Sequence, residues 1–271
     1  MNLDAGHLTV SSAKAWSVMK RILMPLPAYG FDPTEAAVPF ARLIREGHTV
    51  VVATPSGEVA QADRRMVTGE ELPLLFRKSL VATPDAVASY RELERAPAFQ
   101  QPIRYAAIDV ASFDALLLPG GHDKGMRPYL ESERLQSCVA DFFESDKIVA
   151  AICHGTLLVG RSKGRDGRSV LYGRKTTGLT RRQELIAWTL TRWTLDDYYR
   201  TYALPMADEL VSYLRAATDY DPGPGFPIPL RRDSDARLQD GFVVRDGSYL
   251  SARWPGDAHR FADELCKLLA R

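Results

Sequence analysis

Val149-Ala150-Ala151-Ile152-Cys153-His154-Gly155-Thr156-Leu157-Leu158 is the stretch that decides how this chain folds. A short apolar run stops at Cys-His-Gly, and an apolar helical pattern begins at once. A strand that turns this sharply into a helix, a nucleophile elbow, holds its central side chain at the edge of a sheet, within reach of a substrate. The first glycine of the hydrolase form G-x-S-x-G is replaced here by Ala151. Burial as an inert thiol is the ordinary fate of a single cysteine, so the surroundings of Cys153 must decide between the two readings.

The sequence on either side of the elbow reads as an α/β chain. Residues 21–24, Arg-Ile-Leu-Met, form a short buried strand closed by Pro25 and Pro27. Asp32-Pro33-Thr34-Glu35 is a helix start: Asp as N-cap, Pro at the first helical position and Glu three residues after the cap, the pattern of a capping box. Ala37, Phe40, Ala41 and Ile44 follow at i, i+3, i+4 and i+7 to an end near Glu46-Gly47, and the β-branched run 48–54 is a buried parallel strand. This β-α-β opening implies a right-handed crossover and a parallel sheet covered on both faces. Residues 113–118 give another strand, ending in Pro119-Gly120-Gly121-His122. A helix over about 131–144 then leads to strand 148–152, the elbow and its helix to about Ser162.

Between 55 and 109 the pattern loosens to short helices near 63–70 and 84–94, an inserted segment that covers the carboxyl edge of the sheet. After the elbow helix come a strand over 169–177 and a long helix from about Arg181, with Leu185, Trp188, Thr189 and Leu195 inward. A loop over 219–229 and a hairpin turning at Asp246-Gly247 follow. The last helix, from Asp257, turns Phe261, Leu265, Leu268 and Leu269 inward. Residues 1–19 read as a loose N-terminal arm, and with no internal repeat the expectation is a single domain over 1–271.

Composition removes several function classes. The chain has 271 residues and a formal net charge of +1, which makes no electrostatic case for nucleic acid or an acidic membrane. No apolar run approaches the roughly 20 residues that span a bilayer, and the first residues lack a signal-peptide pattern. With three cysteines and no export signal, free thiols in a reducing cytoplasm are expected rather than disulfides. His48, His122, His154 and His259 show no paired ligand spacing, and neither C-x-x-C nor G-x-G-x-x-G occurs, so no metal and no nucleotide cofactor is expected.

Three loops fall at carboxyl ends of parallel strands, where open α/β sheets bind ligands: 32–35, 120–122 and 153–154. At the start of its helix Cys153 is expected to have a lowered pKa. Gly120, Gly121 and His154 have backbone N–H groups placed to form an oxyanion hole. His122 and Tyr29 are candidates for a substrate pocket, although His122 also reads as a surface loop residue. Glu35 is explained as a helix cap without any chemistry. Cys138 and Cys266 read as packing, His259 and the pairs Arg181-Arg182 and Arg231-Arg232 as solvent-facing, and the Trp188/Trp193 stripe as core.

Leu118-Pro119-Gly120-Gly121-His122, Ala151-Ile152-Cys153-His154-Gly155, Glu35 and the closing hairpin and helix together resemble the DJ-1/PfpI (ThiJ) superfamily. The resemblance implies a flavodoxin-like three-layer sandwich with a mostly parallel central sheet. It implies Cys153 as nucleophile, His154 as its neighbour and oxyanion donor, and Glu35 as the acid that shares a proton with the thiol. Length and cover segments are closest to the larger Hsp31-like branch, which includes glutathione-independent glyoxalases and stress chaperones. The implied activity is cofactor-free conversion of a small reactive carbonyl, such as methylglyoxal to lactate, by a homodimer. A chaperone or oxidant sensor without turnover and a cysteine peptidase or amidohydrolase are the alternatives, and an amidotransferase is disfavoured because no H-P-E loop occurs. Members often add an acid that orients the histidine. Residues 178–184 hold none at the expected place, with Glu184 the loosest of candidates, and 181–202 has no close counterpart.

Overall fold

The computed structural model describes residues 19–225 and 231–271. Most of the expected arm and residues 226–229 of the expected loop therefore lie outside the described residues. The elements are β1 (Arg21–Pro25), β2 (Tyr29–Phe31), α1 (Pro33–Arg45), β3 (Thr49–Thr54), β4 (Gln61–Ala62), α2 (Arg64–Thr68), α3 (Arg77–Leu80), α4 (Pro84–Arg95), α5 (Pro97–Gln100) and β5 (Ile103–Arg104). They continue with β6 (Ala115–Leu118), α6 (Arg127–Leu130), α7 (Glu133–Glu144), β7 (Ile148–Ile152), α8 (Gly155–Arg161), α9 (Arg181–Leu195), α10 (Met206–Ser212), β8 (Val243–Asp246), β9 (Tyr249–Ala252) and α11 (Ala258–Leu269).

The apolar runs β1, β6 and β7 become the middle of a seven-stranded sheet in the order β5-β3-β1-β6-β7-β9-β8. Every pair is parallel except the β8–β9 hairpin. α1, α4 and α11 pack together as one helical layer, and α7 and α8 lie against β6 and β7 as the other. This is the flavodoxin-like α/β sandwich that the sequence implied. Sheet and helices close on a main apolar core running from Ile22 to Leu269, beside a small second cluster of Met66, Leu72, Leu195, Tyr198 and Tyr199. No helix among the described residues is long and apolar enough to cross a membrane.

The register positions the site. Leu118 pairs with Ala151 and Ile152 with Ala252, so the chain leaves β6 toward Gly120 beside the point where β7 ends at Cys153. β1 pairs with both β3 and β6, which brings the start of α1 to the same edge.

Several expectations change. Residues 169–177 form no strand; two isolated bridges join Ser169 to Lys163 and Thr176 to Tyr220. There Thr176 and Thr177 serve as buried hydrogen-bonding residues, Thr176 Oγ1 to Tyr249 Oη at 3.0 Å and the Thr177 N–H to Ser251 Oγ at 3.0 Å. The helix expected over 131–144 starts afresh at Ser132, whose Oγ caps it by accepting from the Leu135 N–H. Ile44 is exposed, because α1 is enclosed over its first turns and emerges at its end. In α9 the buried residues are Gln183, Glu184, Thr191 and Leu195, and Trp188 packs half-buried against a small cluster with Leu195 and Tyr199; Trp193, expected in the core, is exposed. Part of the 55–109 segment builds the fold itself, since β5 extends the sheet and α4 covers α1.

Candidate active site

The elbow forms as the sequence requires, at a conformational cost. Cys153 takes φ +55°, a left-handed backbone that non-glycine residues hold only under tertiary constraint. The constraint comes from its N–H, which donates to Ala252 O at 3.0 Å, and from Thr156, whose Oγ1 donates to Cys153 O at 2.7 Å. Glycine is needed at two places so that backbones can touch. A Cβ on Gly155 would lie 2.1 Å from Leu118 O, and one on Gly120 would lie 2.6 Å from His154 N.

Glu35 is only half of a capping box. Asp32 Oδ1 accepts from the Thr34 and Glu35 N–H groups at 2.8 and 3.1 Å. The return bond is missing, because the Asp32 N–H donates to Gly120 O at 2.8 Å instead. Freed from that duty, Glu35 Oε2 accepts the Gly120 N–H at 2.9 Å. Glu35 Oε1 has no conventional partner among the described residues, and its side chain interacts with the Cys153 thiol. The Gly120 N–H is thereby committed to Glu35, which leaves the His154 N–H as the backbone donor that acts on the thiol.

Burial governs the protonation of this cluster. It raises the Cys153 pKa well above that of an ordinary thiol, and the charges of Glu35 and Asp32 add to the rise, while the His154 N–H opposes it. The expectation of a lowered thiol pKa is overturned: the seven-residue α8 offers one helix end against complete desolvation and two acids. Glu35 is likewise raised well above the usual carboxylate range, by burial first and the Asp32 charge second. Two buried acids that interact cannot both ionise cheaply, so the charge of either one disfavours ionisation of the other.

His154 Nδ1 lies 3.6 Å from Cys153 Sγ. Burial, His122 and Arg161 hold its imidazole neutral, and no carboxylate bonds it among the described residues. Glu184 sits elsewhere, accepting the Met206 N–H at 2.8 Å and facing Arg200 at 3.4 Å. Its pKa is raised to about 7 by burial, and it completes no triad. His122, far from His154 in sequence, stands edge-on to it at 5.5 Å and to Tyr199 at 5.0 Å. Burial lowers the His122 pKa to about 4. One ligand atom each of His122, Cys153 and His154 lies within 4.8 Å of the others, a sulfur–nitrogen set that could hold a borderline cation such as Zn²⁺. The sequence spacing had hidden this cluster.

Cys153, His154 and Glu35 are all buried. Beside them opens a cavity of about 470 Å³, with Asp32, His122, Tyr199, Arg232 and Trp254 in its wall. His122, which touches both the cavity and His154, is where the open space meets the buried cluster. Tyr29 is not in that wall; it pairs with Gln61 in the small β2–β4 sheet. Tyr199, Arg232 and Trp254 had not been singled out as site residues, and Arg232 had read as solvated charge. The one signal for them was the Trp-, Tyr- and Arg-rich segment 181–202, which includes Tyr199. His259, expected to face solvent, is held between Asp85 at 3.2 Å and Asp235 at 2.9 Å. Cys138 and Cys266 are free and packed in the core.

Known proteins resemble this chain to different extents. Residues 26–224 match the model of a family described as ThiJ/PfpI family-like. A deglycase of Thermococcus kodakarensis is 25% identical over 244 residues, covering 90% of this chain and 96% of that one. A glutathione-independent glyoxalase of Schizosaccharomyces pombe is 32% identical over 82 residues, 29% of this chain and 33% of that one. A match to a second S. pombe protein, 28% identical, takes in 54% of that protein's length. Among solved structures, glyoxalase III from Candida albicans superposes with a TM-score of 0.67 at 18% identity, over 92% of this chain and 97% of that one, a likeness of fold.

Proposed function

The chain belongs to the ThiJ/PfpI-like family, and on that premise we propose that it is a cysteine-dependent enzyme of the glyoxalase or deglycase type, acting on small reactive carbonyls without a cofactor. The observation that carries the proposal is the buried interaction of the Cys153 thiol with Glu35, whose charge adds to burial in raising the pKa of the thiol. The relatives named glyoxalase and deglycase support the same reading.

In this scheme, written for methylglyoxal, the Cys153 sulfur adds to the aldehyde carbon and its proton passes to the carbonyl oxygen, giving a hemithioacetal. Glu35, as the carboxylate, takes the proton from that carbon and returns it to the adjacent one while the hemithioacetal hydroxyl proton passes to the ketone oxygen, so that the ketone is reduced as the aldehyde carbon rises to a thioester. Water cleaves the thioester, releasing lactate and restoring the thiol. The N–H groups of Gly121 and His154 would stabilise the oxyanion, and neutral His154, 3.6 Å from sulfur, would relay a proton to the leaving thiolate. Lactate, rather than another hydroxy acid, and the lyase classification are part of the proposal.

The test is consumption of methylglyoxal by purified protein without glutathione, with lactate measured as product. Cys153→Ala is expected to abolish it, and Cys153→Ala protein as active as the parent would sink the assignment.

A further inference from the structure

The 470 Å³ cavity is within the range of pockets that enclose drug-sized ligands and far larger than a three-carbon aldehyde needs. Its wall is mainly apolar, with Phe76, Leu80 and Leu190 contributing. Four residues of this wall each carry a buried polar atom without a partner among the described residues: His122 Nδ1, Tyr199 Oη, Arg232 Nη1 and Trp254 Nε1. His122 and Tyr199 are 9% and 3% exposed. They are four of the twelve such atoms among the described residues, and these four belong to residues that share one cavity.

The chemistry of the four defines what they would take. Arg232 Nη1 and Trp254 Nε1 can only donate, and the Tyr199 hydroxyl donates as readily as it accepts. A ligand that satisfies them must present acceptor oxygens. Arg232 is held ready: its Nη2 donates to Ser79 O at 2.9 Å and Leu80 O at 3.4 Å, and its guanidinium lies 5.4 Å from the Trp254 ring centroid. Arg232 forms no ion pair at 4.0 Å or less among the described residues. The acid nearest in effect is Asp32, whose Oδ1 is already taken up in capping α1, while Lys78 adds a second cation to the wall. A desolvated guanidinium lacking a carboxylate partner is costly, and supplying that carboxylate recovers a charge-assisted bond.

We infer that this cavity is the specificity pocket of the enzyme, and that it selects a carbonyl compound bearing a carboxylate on an apolar or aromatic body. Arg232 anchors the carboxylate, Tyr199 and Trp254 complete its hydrogen bonds, and the apolar wall takes the body. The carbonyl end then points past His122 toward Cys153. A phosphate ester would fit less well, because a dianion loses more hydration in an apolar wall than a carboxylate does. This inference rests on the carbonyl reading for its chemistry, but the pocket is tested apart from it.

Phenylacetate and phenylacetamide have nearly the same shape and differ in charge. Calorimetry on the full-length Cys153→Ala protein, which is incapable of the proposed turnover, is expected to show phenylacetate binding at least about tenfold more tightly, a difference of about 1.4 kcal/mol. Arg232→Met should remove that preference and leave phenylacetamide binding unchanged, and Arg232→Lys should restore part of it. Tyr199→Phe, which removes one hydroxyl, should weaken phenylacetate severalfold and provides a second variant in case Arg232→Met perturbs folding. Equal affinity for the two probes, or a preference that survives Arg232→Met, overturns the inference. Either outcome leaves methylglyoxal consumption by the parent protein, and so the carbonyl reading, to stand or fall by its own assay.

Discussion

Glu35 Oε2 accepts the Gly120 N–H at 2.9 Å, and this single bond decides what Glu35 is for. A capping glutamate would reach back to the N–H of Asp32, but that N–H belongs to Gly120 O. Glu35 is therefore tied to the β6 loop at one oxygen and left to the thiol at the other. Because the Glu35 charge raises the Cys153 pKa, Glu35→Gln should lower it: the amide oxygen keeps the Gly120 bond, the charge disappears, and the amide N–H can donate to the thiolate. The measurement is the pH midpoint of Cys153 alkylation, with Cys153→Ala as blank. An unchanged or higher midpoint would show that the two groups are not coupled.

His122 makes the fold acid-sensitive in one defined window. Its pKa falls from 6.5 to about 4 in the folded protein, so below pH 6.5 the unfolded chain binds a proton that the folded one refuses. Stability from this group is complete above 6.5 and is lost as pH falls toward 4, by about 3 kcal/mol at the end. Glu184 and Asp63, raised to about 7 and about 6 by burial, act in the opposite sense, which would mask the effect in the parent alone. Denaturant unfolding of the parent and of His122→Asn between pH 7 and 4 isolates it. The stability difference, parent minus variant, should fall with acid, and a difference flat in pH would refute the assignment.

How far the sequence could be read depended on whether the determining contacts were local. Strands β1, β6 and β7 are short apolar runs whose burial is complete or nearly so, and the Asp32 cap and the elbow are encoded within a few residues, so they were legible. The stretch 169–177 reads as a strand because β-branched residues favour strands in general, while here Thr176 bonds β9 through its hydroxyl and Thr177 through its backbone N–H. Glu35 carries a capping pattern and a site role in one residue, and only the distant Gly120 tells them apart. His122, Tyr199, Arg232 and Trp254 meet across more than a hundred residues with no shared period. Trp193 was misplaced because α9 buries polar residues, among them Glu184 beneath Met206 and Arg200, which no hydrophobic pattern anticipates.

Gly155→Ala should be far more damaging than an ordinary glycine substitution in a first helical turn. The new methyl would lie 2.1 Å from Leu118 O, a backbone atom fixed by the β6–β7 pairing, so neither side can yield without shifting the strand beneath the elbow. A loss on the order of 3 kcal/mol or more is expected, with poor soluble yield. Gly164→Ala, whose nearest neighbour would be Asp166 Oδ1 at 3.6 Å, is the control and should be near neutral. Equal thermal midpoints for the two variants would contradict the close approach.

The thiol is closed off from solvent, and opening it should be measurable. Cys153 and His154 are 0% and 1% exposed, yet the cavity wall reaches His122, whose ring leans on both His154 and Tyr199. Tyr199 makes no hydrogen bond through its hydroxyl among the described residues, so its hold on His122 there is a ring contact, worth about 1 kcal/mol. A barrier of that kind can yield to side-chain rotation without unfolding the sheet. Tyr199→Ala should therefore speed modification of Cys153 by a small disulfide reagent by about tenfold, on the scale where 1.4 kcal/mol is one decade. Cys138 and Cys266, buried in the core away from this wall, should keep their rates, and peptide mapping distinguishes the three thiols. An unchanged Cys153 rate in Tyr199→Ala would mean that substrate reaches the sulfur by another route, and that the His122–Tyr199 contact is packing rather than a gate.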